Sequence, residues 1–358
     1  MAAFNQKQTL VLSFFFLIPM LWKYARGASK APCYFIFGDS LSDSGNNNAL
    51  FTFSKADFPP YGVDFPLGAT GRFTNGRTMM DFLTELMGFD QYIPPYHKAE
   101  GRQILNGVNY ASGGSGILKT TTEIQVGRVW LARQLLRHSE VVARINLLMG
   151  KNESASQHLS KCIYTVAMGS NDYINNYYAP AENPVSQLYT PDRFADLLIR
   201  ELKTNLKRLH SYGARKIVVI GLTGVGCCPH VAKKFGGKPC SEKVNSEVQL
   251  FNDKLTPLVN KLNQKLTDAK FTFLNATSVF NTLLQQGSQN STGSCCKMQR
   301  STGTCVPYHT PCANRSEYVF FDGFHPTESS NKILADLAYN AKSPQVISPY
   351  TFEQLLAL

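Results

Sequence analysis

Short apolar runs alternate along this chain with longer segments of helical spacing. Residues 34–37, 108–111, 163–168, 217–220 and 271–274 are rich in β-branched and aromatic side chains and predict buried strands. Between them the apolar period lengthens. Residues 129–149 carry Leu131, Leu135, Val142, Ile145 and Leu148, and residues 194–209 carry Phe194, Leu197, Leu198, Leu202, Leu206 and Leu209. Residues 244–266 carry Val248, Phe251, Leu255, Leu258, Leu262 and Leu266, with Pro257 inside the pattern predicting a kink or a split. A last helix is expected to begin near Pro326.

Strand–helix alternation of this kind predicts an α/β fold, a parallel sheet with helices on both faces. In such folds the ligand lies beyond the carboxyl ends of the strands. No repeat or long linker divides residues 28–358, so one domain is expected. Residues 287–318, rich in Gly, Ser, Thr and Cys, predict an excursion held by disulfides rather than a second domain.

Residues 1–27 do not match this pattern. Lys7 is followed by an apolar run from Leu10 to Trp22, broken by Ser13 and Pro19, and then by Ala25-Arg26-Gly27. That order predicts a secretory signal peptide cleaved before Ala28. The competing reading, a membrane anchor, needs ~20 apolar residues, and this run is shorter. Losing the leader lowers the formal charge of the 358-residue chain from +11 to +8. The remaining Lys and Arg are scattered, which argues against nucleic acid and leaves room for weak attraction to anionic polysaccharide or membrane surface.

All nine cysteines follow the leader, and export predicts that most are paired, with at least one odd thiol. A zinc site at Cys295, Cys296, Cys305 and Cys312, with His309 nearby, is the alternative, although no C-x-x-C pair occurs there. The pairing is not assignable from spacing. Asn152, Asn275, Asn290 and Asn314 head N-x-S/T triplets and are candidate glycan sites on a secreted chain.

The chemistry lies at the strand ends. Residues 33–37 run into Gly38-Asp39-Ser40, residues 108–111 into Ser112-Gly113-Gly114, residues 166–168 into Gly169-Ser170-Asn171-Asp172, and residues 318–321 into Asp322-Gly323-Phe324-His325-Pro326. A serine hydroxyl needs a base to become a nucleophile, the imidazole needs a carboxylate to hold its tautomer, and the oxyanion needs donors. Ser40, His325 and Asp322 are the candidates for the first three roles. The Ser40 amide, a glycine amide near Gly114 and the Asn171 side chain are the candidate donors. Pro326 suits the first turn of a helix and would leave His325 at that helix's start.

These four blocks resemble the GDSL esterase/lipase family of the SGNH hydrolases, specifically its plant branch. The resemblance spans roughly residues 33–341. It implies a three-layer flavodoxin-like fold with a parallel five-stranded sheet, order 2-1-3-4-5, and metal-free hydrolysis of acyl esters without a cofactor. It implies Ser40 as nucleophile, Gly114 and Asn171 as oxyanion donors, and Asp322 and His325 as the rest of a triad; the adjacent Gly113 leaves the glycine register open by one. With the leader it implies an extracellular enzyme, of the cell wall or apoplast if from a plant. The partner is then a small-molecule or lipid ester.

Blander readings accompany these. Alone, Ser40 would be a helix cap, and Asn171 and Asp172 would shape a turn. Asp39 and Asp43 read as structural hydrogen bonders. The six remaining histidines, among them His138 and His309, lack an acidic residue at the matching position. Tyr173, Tyr177 and Tyr178 line an acyl pocket or pack a loop. An acyltransferase using the same triad, and a non-catalytic secreted glycoprotein with a binding role, are the alternatives to a hydrolase.

Overall fold

A computed structural model describes residues 29–122, 127–150, 155–178, 185–237, 239–285 and 290–358. The expected leader and the Asn152 triplet lie outside the described residues. The strands are β1 (Tyr34–Gly38), β2 (Ile163–Ala167), β3 (Lys216–Ile220), β4 (Lys270–Leu274), β5 (Asn290–Ser294), β6 (Tyr318–Phe320) and β7 (Ile347–Ser348). The principal helices are α1 (Met79–Leu86), α2 (Leu131–Met149), α3 (Pro191–Ser211), α4 (Glu242–Asp253), α5 (Leu255–Lys265), α6 (Ala276–Gln285) and α7 (Glu328–Tyr339).

The central sheet has five strands in the order β1-β2-β3-β4-β7. The first four run parallel, and β7 closes the far edge antiparallel to β4. The expected strand at residues 108–111 is reduced to a short parallel bridge on β1: the Ile36 amide donates to Val108 O at 3.1 Å and the Tyr110 amide to Ile36 O at 2.8 Å. Gly107, at φ 117°, permits this approach, because a Cβ there would lie 1.9 Å from Tyr34 O. With that segment counted, the expected spatial order 2-1-3-4-5 holds, and the two-residue β7 is an addition to it.

Side chains alternate across β1, as the pleat requires. Phe35 and Phe37 pack against His138 of α2, at 4.9 and 5.5 Å between ring centroids. Tyr34 points to the other face, where its hydroxyl meets Met80 of α1. Helices therefore cover both faces, which explains why every residue of β1 and β3 is buried. Thr190 caps α3, Pro191 occupies its first turn, and Phe194, Leu198, Leu202, Leu206 and Leu209 form its buried stripe. Burying each such side chain contributes about 1.5–3 kcal/mol.

The segment expected as one helix over 244–266 is two, broken at Lys254. A proline ring clashes with the carbonyl four residues earlier. For Pro257 that residue is Asp253, where α4 ends; within α5 its missing N–H falls in the first turn, where no partner exists anyway. Residues 318–320 are also not part of the central sheet. They pair with β5 in a separate two-stranded sheet.

The cysteines pair as Cys33–Cys162, Cys227–Cys240, Cys295–Cys312 and Cys296–Cys305, leaving a buried Cys228. The zinc alternative is thereby overturned, because all four of its thiolates are consumed in bridges. Cys295, Cys296 and Cys305 join Ala56, Tyr61, Phe73 and Phe321 in a small second core beside the main one.

Candidate active site

The nucleophile block sits at the end of β1 and is held from several directions. Gln134 of α2 accepts from the Gly38 amide at 3.0 Å and donates to Gly38 O at 2.8 Å. The Leu41 amide donates to the Asp39 carboxylate at 3.0 Å, while Asp39 O accepts from the Ser42 and Asp43 amides at 3.1 and 2.9 Å. The resulting single turn projects Ser40 from the sheet edge. Asp43, fully buried, accepts from the amides of Gly45, Asn46 and Gly113 at 2.8, 2.7 and 3.0 Å. Asn46 donates to Asn109 O and Ala111 O, each at 2.8 Å, which ties the glycine block to the nucleophile block.

The third block is joined in the same way. Asp172 accepts from the Ile117 and Leu118 amides at 2.8 and 3.0 Å and from the Thr121 hydroxyl at 2.5 Å. Asn171 donates one amide hydrogen to Ser115 O at 3.0 Å and accepts from Asn175 at 2.7 Å. Its second hydrogen is left for the cavity it lines together with Ser40, Gly114 and His325. The two adjacent glycines differ here. Gly113's amide is committed to Asp43, whereas no described residue accepts from the Gly114 or Ser40 amide. Gly114 has φ 75° and faces the cavity.

The fourth block arrives from the far end of the chain. Ser40 Oγ lies 2.7 Å from His325 Nε2 across 285 residues of sequence. His325 Nδ1 lies 2.8 Å from both Asp322 oxygens, so that nitrogen carries the proton and Nε2 presents its lone pair to the serine. Asp322 is fully buried and also accepts from the Phe324 and His325 amides, at 2.8 and 2.9 Å. Pro326 does not open the following helix, as expected from sequence. It precedes the cap Thr327, and the helix starts at Glu328. His325 is instead held by the Phe321 amide, which donates to His325 O at 2.7 Å.

A scan with family models matches residues 34–338 to the one described as GDSL-like Lipase/Acylhydrolase. The chain belongs to this family. It is 42% identical over 349 residues to the GDSL esterase/lipase At4g18970 of Arabidopsis thaliana, covering 95% of this chain and 97% of that protein. It is 41% identical to the GDSL esterase/lipase At1g29660 of the same plant, over the whole of both chains. A third, At5g45670, is 39% identical over 98% of this chain and 99% of its own. The protein is thus a GDSL-type carboxylic ester hydrolase whose substrates are small-molecule esters.

Sequence reasoning missed one residue at the centre of this GDSL hydrolase. The Tyr61 hydroxyl donates to Asp322 Oδ2 at 2.6 Å and accepts from the Cys305 amide at 3.1 Å. Burial and then the Asp322 charge push its phenol well above the ordinary value of 10.0, so it remains a donor. Phe73 lies over the His325 ring at 5.0 Å between centroids. Pro59-Pro60-Tyr61-Gly62 reads only as a turn, and nothing local marks its distant partner.

Asp39, Asp43 and Asp172 are each raised from 3.8 to about 6, burial being the principal cause and hydrogen bonds from backbone amides opposing it. Their partners make them structural acceptors. His138 is lowered to about 3 by burial and is a neutral core residue, bonded through Nδ1 to the Tyr110 hydroxyl at 3.0 Å. Tyr173 and Tyr177 do not line the cavity; they pack on Phe194 of α3 at 5.3 and 4.8 Å. Cys228 does line it, but burial pushes its thiol up to about 12, which removes the thiolate a cysteine nucleophile needs.

Proposed function

We propose that this protein is a secreted serine esterase in which Ser40, His325 and Asp322 act as a catalytic triad. The observation that carries the reading is the continuous hydrogen-bonded line from Ser40 Oγ through His325 to the buried Asp322. Ser40 Oγ attacks the ester carbonyl carbon while His325 Nε2 takes its proton. The tetrahedral oxyanion faces the Ser40 and Gly114 amides and the free hydrogen of Asn171, donors each typically worth ~10²–10³ in rate. His325 returns the proton to the leaving alkoxide, and the acyl group stays on Ser40. Water then attacks the acyl-serine carbonyl and gives one proton to His325; the bond to Ser40 Oγ breaks, His325 returns that proton to Oγ, and the carboxylic acid departs.

Secretion is supported by the leader-like residues 1–27 and by four disulfides, which persist in oxidising compartments. Of the candidate glycan sites, Asn314 is exposed, and Asn290 is half-buried at the start of β5. Asn275 is half-buried too, and its side chain accepts from the Ser278 amide at the start of α6.

The test is hydrolysis of p-nitrophenyl esters, from acetate to palmitate, by the secreted protein and its Ser40→Ala variant. Turnover by the wild type with at least ~10³-fold loss in a folded Ser40→Ala variant is expected. Equal rates in the two proteins would remove Ser40 from the mechanism. Failure of both to turn over any ester, together with failure of a fluorophosphonate to label the wild type, would favour a binding role for the fold.

A further inference from the structure

A second cavity, of about 70 Å³, lies directly behind the nucleophile. It is enclosed between the carboxyl ends of β2 and β3 and the helices α1, α6 and α7, on the face of the sheet away from α2. The open cavity that contains Ser40 and His325, of about 110 Å³, does not include it. Both are nevertheless lined by Leu41, Thr223 and Phe324, and by Asp39 and Ser170. The partition between them is therefore made largely of side chains adjacent in sequence to Ser40 and to His325.

We propose that this closed cavity receives the acyl chain of the substrate, so that the ester hydrolysed carries a straight acyl chain of short-to-medium length. The inference rests on the reading of Ser40 as nucleophile. With the carbonyl carbon at Ser40 Oγ, a chain passing between Leu41 and Phe324 enters the second cavity without turning back toward solvent.

Three observations converge on this assignment. The lining is mostly apolar, including Met80, Ile220, Ala276, Phe280 and Leu334, with Asp39 and Ser42 of the nucleophile turn, Ser170, Thr223 and Asn331 as its polar members. Met79, Met80 and Met168 give it a flexible, polarisable wall, suited to a chain that enters and leaves with each turnover. An empty apolar cavity also weakens a fold in proportion to its volume, and apolar ligands fill such spaces readily. Phe280 of α6 and Leu334 of α7 line it as well, and its volume of about 70 Å³ limits the chain length it can take.

The experiment compares kcat/KM for p-nitrophenyl acetate, butanoate, hexanoate, octanoate and palmitate in the wild type, Ala276→Leu and Leu334→Ala. The wild type is expected to gain roughly fourfold for each methylene that becomes buried, to peak between butanoate and octanoate, and to fall at palmitate. Ala276→Leu, which fills the cavity, should lower hexanoate turnover by roughly tenfold, the equivalent of less than two methylenes lost, with acetate turnover held. Leu334→Ala should move the maximum to longer chains, and it decides the matter alone if Ala276→Leu does not fold. One shared chain-length profile in all folded proteins, or a wild type that prefers acetate, overturns the assignment while leaving the Ser40 reading intact. Loss of acetate turnover and of fluorophosphonate labelling in the wild type overturns both.

Discussion

The two halves of the proposed catalytic line are built by different means. Ser40 stands at the end of a parallel strand of the central sheet, and its turn is fixed by buried side-chain-to-backbone bonds from Gln134, Asp43 and Asn46. Asp322 and His325 follow a strand outside the central sheet, beside an excursion closed by Cys295–Cys312 and Cys296–Cys305. One link from that excursion to Asp322 runs through Tyr61, since the Cys305 amide donates to the Tyr61 hydroxyl and Tyr61 donates to Asp322; others are direct, such as the Gly323 amide donating to Gly303 O at 2.8 Å. The proposed nucleophile thus inherits its precision from the sheet. The proposed base inherits it from a covalently braced loop and one buried phenol.

Substitutions can sharpen or break this contrast, and the largest effect is expected at the base itself. Asp322→Asn should lower kcat by ~10⁴, because an amide stabilises the wrong imidazole tautomer; steady-state rates on a short ester, beside a melting curve that shows the fold retained, check this. Next comes Tyr61→Phe, which removes a hydrogen bond to a charged group, typically about 1.5–3 kcal/mol. Its kcat should fall roughly tenfold with KM unchanged, measured well below the melting temperature. If Tyr61→Phe leaves kcat intact and Gln134→Leu lowers it instead, the contrast is reversed.

Opening Cys296–Cys305 by a double Ala substitution should cost about 2–3 kcal/mol of stability for so short a loop. Activity should fall as in Tyr61→Phe before global melting, which calorimetry and initial rates on the same sample resolve. The smallest effect on activity belongs to the nucleophile side, where the change expected is in the pH dependence of stability. The folded-state value of Asp39 is raised from 3.8 to about 6, so the folded chain favours its neutral form. The penalty for its charge is absent below about pH 3.8 and complete above about pH 6. Asp39→Asn should therefore gain stability relative to wild type as pH rises from 4 to 7, by up to about 3 kcal/mol. A difference in melting temperature that stays constant over that range would mean that the Leu41 amide already compensates the buried charge.

Much of the architecture was legible because local chemistry dictates it. Runs such as Tyr34-Phe35-Ile36-Phe37 must be buried on both faces, and the stripe of α3 has one helical solution. Serine, glycine and asparagine blocks at strand ends are readable for the same reason: parallel strands deliver their carboxyl ends to one rim, which the histidine block reaches from a strand outside the central sheet. The partial misreadings were also local. Residues 108–111 have strand composition but form only isolated parallel bridges, Asn109 with Ile36 on one side and with Pro95 on the other, and Pro326 suits a first turn but lies ahead of Thr327, whose hydroxyl accepts from the Ser330 amide.

Cysteine pairing, the choice of Gly114 over Gly113 as the free amide, and the contact of Tyr61 with Asp322 were decided only when the chain folded. Each depends on the distance between atoms far apart in sequence, and neither residue type nor periodicity encodes that distance. A hydroxyl 261 residues from a carboxylate becomes its partner because two cores, one organised by the sheet and one by disulfides, meet at that point.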